Sequence, residues 1–174
     1  MDFWKVIADR YSVRDFDPSV DVTKEVVVRL LAGAVRAPSA GNRQPWHFYV
    51  VRDRDMTEGL TAAAGGQDFV AQAPVSFVVC AAAKMSAARY VARGRKLYCL
   101  QDTAAAIEHI LLAALAEGLG GCWLGAFDES HAARVLGRPS HHRPVAIRPI
   151  GKPVRRPSKP SAREPLDQVA SFIG

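Results

Sequence analysis

Residues 10–14 read RYSVR, with two arginines on either side of a hydroxyl. Arg10 and Arg14 offer planar forks of N–H donors and Ser12 adds a hydroxyl, a donor set suited to a phosphate or another anionic oxygen group. A solvated helix end would carry the same residues, so this fragment gains meaning only from what accompanies it. The second concentration of chemistry is APSAGNRQPW, residues 37–46. Pro38, Ser39 and Ala40 are small, Gly41 gives backbone freedom, and the amides of Asn42 and Gln44 can donate and accept at once, as the edge of a heteroaromatic ring requires. The alternative is a turn that only positions Trp46.

A third stretch, GLGGCWLGAF at residues 118–127, lacks the G-x-G-x-x-G spacing of a dinucleotide fold, and no Walker sequence occurs. Its glycines let backbone N–H groups approach a flat ligand, or simply end a helix. The histidines show no metal-ligand spacing, and Cys80, Cys99 and Cys122 form no C-x-x-C pair, so neither a zinc site nor a disulfide framework is indicated. These cysteines read as small buried apolar residues. His141 and His142 read as an exposed pair in a polar loop. With no nucleophile–base arrangement and no metal set, the hard chemistry would belong to a cofactor.

The elements that position these residues are legible from pattern. Residues 2–9 form a short helix. TKEVVVRLLAGAVRA puts Val26, Val27, Leu30, Leu31 and Ala34 on one face, and Pro38 stops it. HFYVV is a strand, a weak helix follows near residues 56–64, and a second strand spans about 76–81. Both strands are continuously apolar, as when both faces are covered. Residues 97–117 are strong helix formers, apolar on nearly every face, so that helix is central or shared between subunits, with Gly118 and Gly120 ending it. WLGAF has strand character, Asp128 caps a short helix through about Leu136, and PVAIRPIG is the last strand. Beyond Gly151, KPVRRPSKPSAREP is rich in Pro and cations, and reads as an extended arm along a surface.

At 174 residues the chain is one domain with an arm. A hydrophobic content of 49% fits a single core. The start, MDFWKVIADRYSVRDF, is not a secretory signal, and no run is long and uncharged enough to span a membrane, so the sequence places the protein in the cytoplasm. The net charge of +6 suggests nucleic acid, a membrane surface or a phosphorylated ligand. The basic segment lacks interleaved aromatics and a recognisable helical reader, so it reads as a solvated arm or, more narrowly, as one in which one or two cations hold a phosphate.

Taken together, "RYSVRDF", "APSAGNRQPWHFYVV", "LQDTAAAIEHILLAALAEGLGGCWLGAF", "RPVAIRPIGKP" and "AREPLDQV", in that order, resemble the FMN-dependent nitroreductase family. The resemblance implies an α+β fold, a mostly antiparallel sheet wrapped by helices. It also implies a homodimer with FMN at the subunit interface and residues 152–174 crossing onto the partner. On this likeness Arg10, Tyr11, Ser12 and Arg14 form the first FMN anchor, Arg10 and Ser12 toward phosphate and ribityl and Arg14 toward the pyrimidine edge. Pro38, Ser39, Ala40, Asn42 and Gln44 line the ring from the other subunit. Leu124 and Gly125 turn backbone N–H groups to the flavin N5 and O4 region. Arg163 is the last phosphate ligand, with Lys159 near the place, Ser161, where the family often has a second cation.

The implied activity is hydride transfer from NADH or NADPH through the flavin to a small conjugated acceptor such as a nitroaromatic or quinone, with no catalytic side chain beyond Arg14 as an electrostatic stabiliser. Residues 84–98 would be a short lid, with Tyr90 and Arg93 toward substrate. Two other readings stay open: a specialised member, such as a reductive dehalogenase or flavin-consuming enzyme, and a flavin-binding or basic interaction protein without turnover.

Overall fold

A computed structural model describes residues 2–137, 141–157 and 161–174. Helix α1 (Phe3–Asp9) starts where the Asp2 carboxylate accepts the N–H groups of Trp4 and Lys5, and α2 (Lys24–Ala34) is capped by the Thr23 hydroxyl. Val27, Leu30 and Ala34 of α2 are buried, with Val26 and Leu31 packed beside them, as the periodicity predicts. The helix ends at Ala34, ahead of Pro38, on a C-cap at Val35.

Strand β1 (Trp46–Val51) leads through α3 (Arg54–Ala63) and α4 (Phe69–Gln72) to β2 (Val75–Ala81). Helix α5 (Ala83–Arg93) and one π-turn (Gly94–Tyr98) follow, then α6 (Cys99–Ala116), β3 (Gly120–Gly121), α7 (Glu129–Val135), β4 (Arg143–Gly151) and α8 (Leu166–Val169). The four strands lie in the order β1-β2-β4-β3 and every pairing is antiparallel. The register slips by one residue between Val79 and Cys80, opposite Val145, a bulge that turns the end of β4.

Helices cover both faces, so the α+β expectation holds. Val75, Phe77 and Val79 pack with Ile107 and Ile110 of α6 and Val27 and Leu30 of α2, whereas Val78 and Cys80 meet Leu60, Phe69, Val70 and Leu136 on the opposite side. Every residue of β2 is buried. Strand β1 departs from the expectation: as the edge strand it leaves His47 and Val50 exposed.

Along helix α6 only Gln101 and Ala116 are fully exposed, the remaining residues being buried or partly buried. The helical run Ala83–Ala116 contains a window of mean hydropathy 1.3, long and apolar enough to cross a membrane by composition, yet half of it is buried inside this chain, as in a core helix. Gly118, at φ +73, terminates α6 in the left-handed region. Gly120 has a different task from the one expected: it belongs to β3, where a Cβ would strike the Val13 side chain. WLGAF is also not a strand. Leu124 makes a single bridge to Ile147 and the segment otherwise runs free of the sheet.

All three cysteines are free and buried. Burial pushes the Cys80 thiol up to about 12, so it is no nucleophile at neutral pH. His142 is half-buried, stacked on His47 and hydrogen-bonded to the Tyr49 hydroxyl, which corrects the reading of an exposed pair. Burial, with the charges of His47 and His141, holds its pKa below the ordinary value.

Candidate functional site

Residues 11–17 form an irregular strip fixed on two sides. Val13 donates to the Gly121 carbonyl at 3.0 Å, Asp17 to the Lys152 carbonyl at 2.8 Å, and Val154 returns a bond to the Asp15 carbonyl at 3.1 Å. Val13 is buried in the core while Ser12 and Arg14 on either side of it face outward, as alternate residues of an extended segment do; the alternation ends at Asp15, which is exposed, and Phe16 is buried again. The strip thereby turns the hydroxyl and one guanidinium to the same side. Tyr11 secures the arm, donating its hydroxyl to the Arg155 carbonyl at 3.1 Å. Burial raises the Tyr11 pKa, against the lowering charge of Arg156.

The strip, the end of α1 and the start of the arm enclose an open cleft of about 1420 Å³ whose lining includes Arg10, Ser12, Arg14, Ser161 and Arg163. Arg155 and Arg156 also line it, facing Asp15 at 3.7 Å and Asp9 at 3.2 Å. Asp9 is held below the usual carboxylate range by its hydrogen bonds to Lys5 and then Arg156. Among the described residues, Arg14 and Arg163 have no carboxylate partner. Arg163 spends one nitrogen on the carbonyls of Ser161 and Ala162. Lys159 lies outside the described residues.

The loop at 38–44 is elsewhere: none of its residues lines the cleft. Gly41, Asn42 and Gln44 all have positive φ, at 54, 54 and 48, and for the two non-glycines this is a strained conformation. Hydrogen bonds hold it. The Ala40 N–H donates to Asp102 Oδ1 at 3.0 Å, the Gln44 N–H to the Ser39 hydroxyl at 3.0 Å, and the Asn42 N–H to the Ser39 carbonyl at 2.9 Å. Gln44 turns its own amide back onto the Asn42 carbonyl at 3.4 Å. Pro38, Gly41 and Asn42 stand exposed while Pro45 and Trp46 are buried. Asp102 was not singled out from sequence, although an acid in the first turn of a largely apolar helix was the available signal. Burial raises its pKa, against the lowering bond from Ala40, and its second oxygen has no partner among the described residues.

Leu124 does not fill the role expected of it. Its N–H is spent on the Ile147 carbonyl at 3.1 Å, whereas Gly125 donates no backbone bond among the described residues and a Cβ there would meet nothing within 4 Å. Of these two residues it is Gly125, among the described bonds, that offers a flat ligand both an unspent N–H and open space. In the segment expected to be a lid, Tyr90 of α5 reaches the loop, its hydroxyl 2.6 Å from where a Gly41 Cβ would stand. Arg93 turns away, donating to the Tyr98 hydroxyl at 2.9 Å and lying over that ring at 5.3 Å. Val91 breaks α5 with φ +47, an outlier for a β-branched residue.

Comparison with known proteins bears on the family and the fold. The profile of the Nitroreductase family matches residues 7–67 and 53–152. A relative from Archaeoglobus fulgidus, whose name pairs NADH dehydrogenase with NAD(P)H nitroreductase, is 38% identical over 132 residues, covering 76% of this chain and 72% of that protein. The NADH dehydrogenase of Thermus thermophilus is 32% identical over 189 residues, covering 92% and 90%. A crystal structure from Exiguobacterium sibiricum, solved in complex with FMN, shares the fold with a TM-score of 0.89 at 23% identity, over 99% of this chain and 98% of that one.

Proposed function

This chain belongs to the Nitroreductase family, and from that premise we propose that it is an FMN-dependent oxidoreductase carrying hydride from NADH or NADPH to a small conjugated acceptor such as a nitroaromatic or quinone. The observation that carries the reading is the cleft where Arg10, Ser12, Arg14 and Arg163 converge, two of the cations being without a counter-ion among the described residues. Such a cluster matches the charge and donor geometry of a phosphate monoester. The names of the relatives point to the electron donor, and the FMN complex of the Exiguobacterium protein to the cofactor.

FMN, when bound, supplies two-electron chemistry that no side chain of this protein offers. The chain's own residues bind, orient and polarise. Arg10, Ser12 and Arg163 hold phosphate and ribityl, and Arg14 sets a fixed cation beside the pyrimidine edge, where it favours the electron-rich form. Gly125 offers its N–H to the ring edge. Tyr11 acts at one remove by tethering the arm.

The loop at 38–44 works from a second copy of the chain. Two features support this: the loop does not line the cleft of its own chain, and the apolar side chains of the arm lie bare, Leu166 at 81% and Ile173 at 97% exposure. A homodimer in which residues 152–174 cross to the partner covers that surface and completes two sites. The 1–174 chain is then one domain with an exchanged arm.

The test is direct. Purified protein should be yellow and dimeric, and should oxidise NADH or NADPH when a quinone or nitroaromatic is supplied, with parallel-line kinetics from the two substrates sharing one place in turn. A colourless monomer that takes up no FMN in excess cofactor overturns the reading.

A further inference from the structure

Arg148 is a buried cation with nothing to hold. It lies in β4 opposite Phe77, is wholly inaccessible to solvent, and none of its three guanidinium nitrogens has a hydrogen-bond partner among the described residues. Its guanidinium sits 5.2 Å from the centre of the Trp123 ring, a cation–π contact within the Gly-rich segment at 118–127. Burial lowers its pKa to about 9, Cys122 and Glu108 oppose that shift, and Arg10 adds to it. Arg148 is therefore still charged at neutral pH, and Glu108 is the one carboxylate among the described residues whose field reaches it.

Glu108 has a second claimant. Its carboxylate lies 3.8 Å from Nε of Arg10, too far for a hydrogen bond. Three elements thus place two guanidinium groups under the influence of one carboxylate: the end of α1 supplies Arg10, α6 supplies Glu108 and β4 supplies Arg148. Arg10 lines the cleft and Arg148 is wholly buried. A guanidinium taken out of water without an acceptor is costly, and a carboxylate beside Arg10 repels any phosphate that approaches the same guanidinium.

We propose that Glu108 is a counter-ion exchanged between Arg10 and Arg148: a phosphate that takes Arg10 displaces the carboxylate inward, where Arg148 receives it. This rests on Arg10 being a phosphate anchor, and it makes Arg148 a positioning residue for cofactor affinity. Phosphate binding then satisfies three groups at once, since Arg10 gains the phosphate, Glu108 leaves it, and Arg148 acquires an acceptor. Trp123, stacked on Arg148, reports the exchange.

The test compares FMN with riboflavin, which lacks the phosphate, by flavin-fluorescence titration. Arg148→Met should weaken FMN binding about tenfold, the loss of one charge-assisted contact, and leave riboflavin affinity unchanged. It should not lower Tm, because methionine fills similar volume without an unpaired charge. Arg148→Lys should recover most of the loss. Glu108→Gln should tighten FMN binding, and in its background Arg148→Met should have no further effect on FMN. Should Glu108→Gln fail to fold, the Met and Lys variants at position 148 carry the test alone. An unchanged FMN affinity in Arg148→Met, or an equal loss for FMN and riboflavin, overturns the exchange while the cofactor reading stands. Wild-type protein that binds no FMN overturns both.

Discussion

The cleft at residues 10–15 and the loop at 38–44 offer polar groups to a ligand by opposite means. The cleft uses charge: its backbone is relaxed, tied by ordinary strip-to-strip hydrogen bonds, and its arginines project outward on long side chains. The loop uses shape: it carries no cation except Arg43, which is bonded to the Met85 carbonyl, and its geometry depends on three residues in left-handed conformations pinned by one buried carboxylate. Charge tolerates imprecision because Coulomb attraction falls slowly with distance. Close approach to a flat ring, the role proposed for the loop, does not, and a backbone fixed in a strained conformation suits that role. Substitutions in the cleft should therefore act on affinity, and substitutions in the loop on stability and geometry together.

The sharpest break comes from the cleft. Charge-assisted hydrogen bonds contribute roughly 1.5 to 3 kcal/mol each, so Arg10→Ala with Arg163→Ala should cost about 3 to 6 kcal/mol of FMN binding, a loss of about two to four orders of magnitude. The protein should emerge colourless with its Tm otherwise unmoved, as both side chains are on the surface of the cleft. Retention of yellow colour through gel filtration would place the phosphate elsewhere.

Next comes the carboxylate that pins the loop. Asp102→Ala leaves the Ala40 N–H without its acceptor, at a cost of about 1 to 3 kcal/mol of stability, seen as a lower Tm even without cofactor. The pH dependence has a definite sign. The folded pKa of Asp102 is raised, so the folded state holds this proton more tightly. Its contribution is full below the ordinary aspartate pKa and is lost as pH climbs through the raised value. Asp102→Asn keeps the acceptor oxygen without the buried charge, so its Tm should vary less over that interval. A wild-type Tm that rises there more steeply than the Asn variant's would contradict the assignment.

A smaller effect is expected at Gly41. An alanine there must hold φ near +54 and place its Cβ 3.2 Å from Cδ of Arg89 as well as against the Tyr90 hydroxyl. The left-handed conformation alone costs roughly 1 to 2 kcal/mol, and Tyr90 must withdraw. Gly41→Ala should lower Tm by a few degrees and raise the KM of the acceptor more than it lowers FMN affinity. An effect confined to FMN affinity would show that the loop holds the phosphate end.

How legible these regions were follows from the same difference. Arg10, Ser12 and Arg14 drew attention because donor chemistry is written in residue type, Arg163 only through the family resemblance, and the structure gathers all four around one cleft; the hydrophobic periods of α2, β2 and α6 gave the scaffold. The strained backbone is not written that way. Gly41 advertised freedom, but Asn42 and Gln44 suggested only hydrogen-bonding edges, and Gln44 in fact folds its amide onto its neighbour. Leu124 illustrates the same limit. Its N–H is claimed by Ile147 across the sheet, a pairing between residues far apart in sequence that no local pattern encodes. Gly120 looked like a helix terminator and is a strand residue kept small by Val13. Asp102 and Arg148 escaped notice for a third reason, since each is a polar residue inside a largely apolar element and shows its partners, or their absence, only after packing.

The smallest effect sharpens the comparison most finely, because it concerns how the cleft's own charges are restrained. Asp9 accepts from Lys5 at 2.8 Å and from Arg156 at 3.2 Å, and so ties α1 to the root of the arm. These bonds depress its pKa, Lys5 first. Their contribution is therefore present above the unfolded aspartate pKa and fades as pH falls through the depressed one. Exposed pairs of this kind are weak and screened by salt, so Asp9→Asn should barely alter Tm at neutral pH. It should, however, release Arg156 into the cleft and add one unneutralised cation there. If charge governs this half of the site, FMN binding should tighten slightly in low salt and return to the wild-type value as salt is raised. If the geometry of the arm governs instead, the freed Arg156 lets the arm drift from α1, and binding should weaken at every ionic strength.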